Sequence, residues 1–91
     1  MEDEEEGELV LGILYRKEWK DKKGYLHRLN GPAVIYKDGD MHWYRHGRYH
    51  RDDGPAWLWP SEGIEEWYKD GKRYEPSAHE LMVWKMKKKE G

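Results

Sequence analysis

The sequence predicts a mainly β domain: a single elongated antiparallel β-meander of stacked hairpin repeats, closed by a short C-terminal α-helix. Three observations predict it. Trp19, Trp43 and Trp67 recur at a spacing of 24 residues. The word His27-Arg28-Leu29-Asn30-Gly31-Pro32-Ala33 returns 23 residues later as His50-Arg51-Asp52-Asp53-Gly54-Pro55-Ala56, and Trp43-Tyr44-Arg45-His46-Gly47-Arg48-Tyr49 returns as Trp67-Tyr68-Lys69-Asp70-Gly71-Lys72-Arg73. Gly-bearing pairs punctuate the chain at intervals that fit hairpins and are too short for helices. The repeats run over about 19–42, 43–66 and a partial 67–76, within a β domain of residues 9–76.

The elements follow in chain order. Residues 1–8 carry Glu2, Asp3, Glu4, Glu5, Glu6 and Glu8 without a base, an acidic tail that like-charge repulsion keeps disordered and soluble. Docking to a partner or mimicry of a nucleic acid is its alternative use. The apolar run Leu9–Leu14, broken by Gly12, is too short for a membrane span and lacks the basic flank of a secretory signal. The pairs Asn30-Gly31, Asp38-Gly39, His46-Gly47, Asp53-Gly54 and Asp70-Gly71 are expected to supply positive φ at turns. Between them, 32–37, 40–45, 55–59 and 64–69 read as strands, with Pro32 and Pro55 at strand starts where a missing donor is tolerated. Alternation puts Met41, Trp43 and Arg45 on one side and His42, Tyr44 and His46 on the other. After Pro76, Ser77-Ala78-His79-Glu80 reads as a capping box that opens a helix over 77–90. Leu81, Trp84 and Lys88 fall on one stripe and Met82 and Met86 on another, and the helix is expected to cover the open last strand.

Of the 91 residues, 40% are charged and 36% hydrophobic, and the rings are six Trp and seven Tyr with no Phe. Every ring therefore carries an N–H or O–H that seeks a partner when buried, which suits thin, partly wet layers. Trp19, Trp43 and Trp67 are expected to form the spine. His27, Arg28, Gly31, Pro32, His50, Gly54 and Pro55 read as residues that maintain the repeat, with Asp52 or Asp53 capping backbone N–H groups and Arg51 bridging strands. Trp57 and Trp59 stand where the preceding repeat has Val34 and Tyr36, more ring than the repeat needs. With Tyr44, Tyr68, Arg45, Arg48 and Arg51 they are the candidate partner-binding residues.

The absence of Cys removes disulfides, thiolate nucleophiles and zinc–thiolate sites, and points to a cytoplasmic chain. His27, His42, His46 and His50 lie close in sequence but lack an established ligand spacing, so no metal site is expected. A word that recurs at every hairpin serves a turn rather than one catalytic centre, and no phosphate loop or nucleophile elbow is present. Neither catalytic residues nor a cofactor are expected. Net charge is −2, made of −6 in residues 1–8, +3 in residues 85–90 and +1 between them.

The stretch Gly47-Arg48-Tyr49-His50-Arg51-Asp52-Asp53-Gly54-Pro55-Ala56, with Trp-Tyr-x-x-Gly at Trp43 and Trp67, resembles the MORN repeat family, and more narrowly its variant in bacterial and phage proteins. The resemblance covers about residues 19–75. It departs in the first copy, where Leu29-Asn30 replaces the acidic pair and Trp19-Lys20 replaces Trp-Tyr, and in the third, which lacks the His-Arg word after Tyr74. It implies a non-enzymatic β-sheet array used for binding, mostly of proteins and in some members of lipids, with no catalytic residues. The expected function is thus protein binding, in the form of a small phage or mobile-element protein that inhibits a host protein such as an anti-CRISPR-type defence target in the bacterial cytoplasm. The alternative is single-stranded nucleic acid on an aromatic face beside Arg28, Arg45, Arg48, Arg51, Lys69 and Arg73, which the near-neutral middle of the chain disfavours. Binding of an anionic lipid surface through Lys85–Lys89 is weaker still, and open sheet edges also allow a homodimer.

Overall fold

The computed structural model describes residues 6–11 and 16–90. Their elements are β1 (Glu8–Leu11), β2 (Arg16–Lys20), β3 (Val34–Tyr36), β4 (Met41–His42), β5 (Tyr44–Arg45), β6 (Arg48–Tyr49), β7 (Trp57–Trp59), β8 (Ile64–Glu66), β9 (Tyr68–Lys69), β10 (Lys72–Arg73) and α1 (Ala78–Glu90). The fold is mainly β and antiparallel, with one C-terminal helix. A six-stranded sheet takes the order β1-β2-β3-β4-β7-β8, while β5 with β6 and β9 with β10 form two separate hairpins.

The stretches 40–45 and 64–69 are not continuous strands, because each breaks at its Trp. Trp43 N–H donates to Ala56 O in the main sheet at 2.6 Å, while its carbonyl accepts from His50 N–H at 3.1 Å beyond the short hairpin. The indole thus marks a corner where the chain leaves one sheet for another. Each unit feeds both, and the molecule is a slab of 36 × 35 × 24 Å rather than a structure extended in one direction.

The Gly-bearing pairs divide into three kinds, Asp38-Gly39 having positive φ, 94°, at its glycine alone. His46-Gly47 and Asp70-Gly71 hold positive φ at both residues, 48° and 86°, then 50° and 81°, as a two-residue hairpin turn matched to strand twist requires. Asn30-Gly31 and Asp53-Gly54 depart from expectation: neither Gly31 nor Gly54 has positive φ. These glycines instead make room, since a Cβ on Gly31 would lie 3.0 Å from Arg28 Cζ and one on Gly54 2.9 Å from Arg51 Cζ.

Each guanidinium occupies that room to lie over the Trp of its own unit. Arg28 sits 3.7 Å from the Trp19 ring centre and Arg51 3.8 Å from that of Trp43. Their Nη1 groups donate to Pro32 O at 3.2 Å and Pro55 O at 3.1 Å. The preceding imidazole reaches forward to the next unit: His27 Nδ1 accepts from His46 N–H and His50 Nδ1 from Asp70 N–H, both at 3.0 Å. Ala33 and Ala56 are fully buried, each donating to one neighbouring strand and accepting from the other. Arg51 therefore covers a ring rather than bridging strands, and Asp53 accepts from Arg51 Nε at 3.0 Å rather than capping backbone N–H groups.

Both ends of the array are closed by other means. No arginine word follows Trp67, and its ring is met edge-on by Tyr74 at 6.2 Å and by Trp84 of α1 at 6.5 Å. Ion pairs Lys87–Asp53 at 3.1 Å and Lys88–Glu65 at 2.7 Å hold the helix there. Its capping box is formed reciprocally, Ser77 N–H to Glu80 Oε1 at 2.8 Å and Glu80 N–H to Ser77 Oγ at 3.1 Å. At the other end, Glu6 O accepts from Leu29 N–H at 3.2 Å, its carboxylate accepts from Asn30 Nδ2, and Glu8 already belongs to β1. Glu2, Asp3, Glu4 and Glu5 lie outside the described residues.

Gly54→Ala is expected to destabilise the chain by about 1–3 kcal/mol through displacement of Arg51. The same substitution should cost distinctly less in an Arg51→Ala background, and urea unfolding of the four chains measures the difference. Additive costs would contradict the assignment of Gly54 as the seat of the guanidinium.

Candidate functional site

Of the residues singled out for binding, several are joined in one aromatic column. Tyr49 is sandwiched between Tyr44 at 4.6 Å and Tyr68 at 4.7 Å. His42 stacks 5.7 Å from Tyr49 and 5.4 Å from Trp57. A hydrogen-bonded chain ties the column together: His42 Nε2 lies 3.0 Å from Asp40 Oδ1, His42 Nδ1 lies 2.8 Å from Tyr49 OH, and Trp57 Nε1 donates to Asp40 Oδ1 at 2.9 Å. Burial, and then the Tyr44 hydroxyl, raise the Tyr49 pKa, so this phenol stays protonated as a hydrogen-bonding group. Tyr44, Tyr68 and Trp57 each spend a ring face on this stack and are half-buried, as is Trp59, whose Nε1 is buried without a partner.

The arginines separate into three situations. Arg51 is only 13% exposed and belongs to the repeat packing, where burial lowers its pKa and Asp53 partly offsets that. Arg48 is exposed on its hairpin, its aliphatic stem beside Gly71. Arg45 lies between, 31% exposed, with its Nε buried and without a hydrogen-bond partner. The short hairpins and the first turn also expose Lys23, Lys69, Lys72 and Arg73.

In the first turn Asp21 is nearly enclosed, its side chain 2% exposed. It accepts from Lys23 N–H and Tyr25 N–H at 2.9 Å each, and His46 Nδ1 lies 2.6 Å away. Burial works against its charge, but the His46 and backbone hydrogen bonds outweigh it and hold the pKa below 3.8. The imidazoles named from the sequence are thus engaged with backbone, carboxylate or phenol groups, and no cluster of three or more metal-ligating side chains occurs among the described residues.

Two concavities among the described residues bear on binding. One, of about 520 Å³, opens where the first two repeat words face each other and is lined by Arg28, Asn30, Trp43, Arg45, His50 and Asp52 among others. The other, about 440 Å³ and shallow, runs along the outer side of α1 past Ala78, Leu81, Met82, Lys85, Met86 and Lys89. Met82 and Met86 are 53% and 56% exposed there, while Trp84, 7% exposed, holds the opposite side of the helix. No described helix is long and apolar enough to cross a membrane. Tyr49 and the groove were missed as site features, although the 23-residue offset between the two words was the signal that places them side by side.

No protein-family model, curated protein or solved structure matches this chain.

Asp21 yields a pH dependence with a definite sign. Its folded pKa lies below the ordinary 3.8, so its stabilisation is complete above that value and fades as pH falls through the folded value. Asp21→Asn is expected to cost about 1–3 kcal/mol near neutrality. The gap from the parent chain should close in acid, as followed by urea unfolding across pH. A gap that stays constant would contradict this role.

Proposed function

We propose that this chain is a non-enzymatic protein-binding module whose partner meets the outer side of α1. The observation that carries the reading is the exposure of Met82 and Met86 beside Leu81, framed by Lys85 and Lys89. An apolar strip that the fold leaves uncovered suits contact with another surface, and flexible thioethers adapt to varied partners. Lysines at its border favour a partner with acidic residues around an apolar patch. Trp57 and Trp59, being half-buried, are secondary contacts in this reading.

The resemblance to bacterial and phage repeat proteins extends the proposal to a small mobile-element protein that inhibits a host defence protein in the bacterial cytoplasm. The acidic run Glu2–Glu6 is then a second contact, and removal of residues 1–8 should weaken inhibition. Nucleic-acid binding is the poorer reading, because Tyr49 has both ring faces covered by Tyr44 and Tyr68, leaving fewer platforms for bases.

Affinity capture from a nuclease-treated bacterial lysate, followed by titration of the purified captured protein, tests the proposal. The double variant Met82→Glu/Met86→Glu is expected to weaken binding at least about tenfold, the loss of two buried apolar contacts, with unchanged thermal unfolding. Equal binding by the variant, or recovery of nucleic acid or anionic vesicles in place of a protein, would overturn it.

A further inference from the structure

The lysines that close α1 divide between two tasks. Lys87 and Lys88 pair with Asp53 at 3.1 Å and Glu65 at 2.7 Å and hold the helix against the fold. Lys85 and Lys89 are exposed and have no ion-pair or hydrogen-bond partner among the described residues. Both border the shallow concavity that also exposes Met82 and Met86 at 53% and 56%. The cations that the fold does not neutralise thus stand beside the apolar side chains that it does not cover.

The shape of the strip shows what can lie on it. Ala78, Leu81, Met82, Lys85, Met86 and Lys89 follow one another by three and four residues, a straight seam about 16 Å long on one side of α1. Such a seam accepts the side-chain ridges of a second helix. An extended segment draws its affinity from main-chain hydrogen bonds to a sheet edge, and the side of a helix, whose N–H and C=O groups are spent internally, offers none. A bilayer surface calls for a broad apolar face with large side chains inserted, whereas Trp84 of α1 is turned inward, 7% exposed, and Leu81 is half-buried. A second copy of this chain would bring the same lysines and no carboxylate to the seam, setting like charges together. Direction follows from the position of Lys85 and Lys89 near the C-terminal end of α1. Acidic residues are stabilised in the first turn of their own helix by its dipole, and an antiparallel helix places that turn beside these lysines.

We infer that the outer side of α1 receives an amphipathic α-helix of the partner protein, antiparallel to α1, with acidic residues of its first turn against Lys85 and Lys89. The inference rests on the protein-binding reading of this strip and adds the form, charge and direction of the partner's segment.

The test is an NMR titration of the full chain, labelled at its methionine methyl groups, with a pair of end-blocked, lactam-bridged helical peptides of matching length and identical composition. Each carries leucines along one side. One bears its glutamates beside that stripe in the first turn, the other in the last. Saturable shifts of the Met82 and Met86 methyl groups are expected, with Met41 in β4 unmoved, and the first-turn peptide should bind at least about fivefold tighter. Lys85→Glu/Lys89→Glu should weaken that peptide about tenfold with unchanged thermal unfolding. Should this variant fail to fold, the peptide pair decides: a first-turn preference supports the inference and equal affinity overturns it. No saturable shift with either peptide would also overturn it. So would equally tight binding of a proline-interrupted peptide of the same composition or of phosphatidylglycerol vesicles, or dimerisation of the parent chain that Met82→Glu/Met86→Glu abolishes. Capture of a protein that depends on Met82 and Met86, with neither helix bound, sinks the helix and leaves the protein-binding reading standing. A Met82→Glu/Met86→Glu chain that captures as well as the parent sinks both.

Discussion

A guanidinium lying over an indole, fastened by a proline carbonyl, is the interaction on which the other repeat features depend. With 36% hydrophobic residues the chain has too few aliphatic side chains for an ordinary core, and it uses a charged residue as a lid on Trp19 and on Trp43 instead. A planar, weakly hydrated cation suits that place, and each stack contributes about 0.5–2 kcal/mol beyond the area it covers. The neighbours in the word follow from it. Glycine leaves room for the guanidinium, proline presents the carbonyl, alanine passes the chain between two strands with only a methyl to bury, and histidine secures the next turn.

An array of such units has to end, and its ends show what is interchangeable. At Trp67 the lid comes from Tyr74 and from Trp84 of α1, so the helix does for the last unit what Arg28 and Arg51 do within the array. Because Trp84 faces inward, the side of α1 carrying Met82 and Met86 is turned away from the fold's needs. At the first unit, Glu6 and Gly7 close onto His27–Asn30. The proposed surface on α1 therefore arises where the repeat stops being self-sufficient.

Much of this was legible in the letters. The repeated words, the hairpin turns at His46-Gly47 and Asp70-Gly71, the capping box at Ser77 and Glu80 and the two stripes of α1 are local patterns that the structure reproduces. The role of Gly31 and Gly54 was not legible, because a glycine needed for φ and one needed for space look alike in sequence and only the position of the arginine separates them. The break of the strands at Trp43 and Trp67 was hidden for a similar reason: continuous alternation across the indole conceals a corner created by hydrogen bonds to another unit. Arg51 resembled Arg48 as a surface cation, yet one is packed on a ring and the other exposed, a distinction set by contacts far along the chain.

The most direct measurement is the unfolding free energy of Arg51→Lys. Lysine keeps the charge and the reach to Asp53 but cannot lie flat over Trp43 while donating to Pro55 O. A loss of at least about 1 kcal/mol that persists at high salt is expected, since most of the interaction is stacking and a buried hydrogen bond. Parent-like stability, or a loss that salt abolishes, would show that a surface ion pair and not the stacked guanidinium holds the repeat.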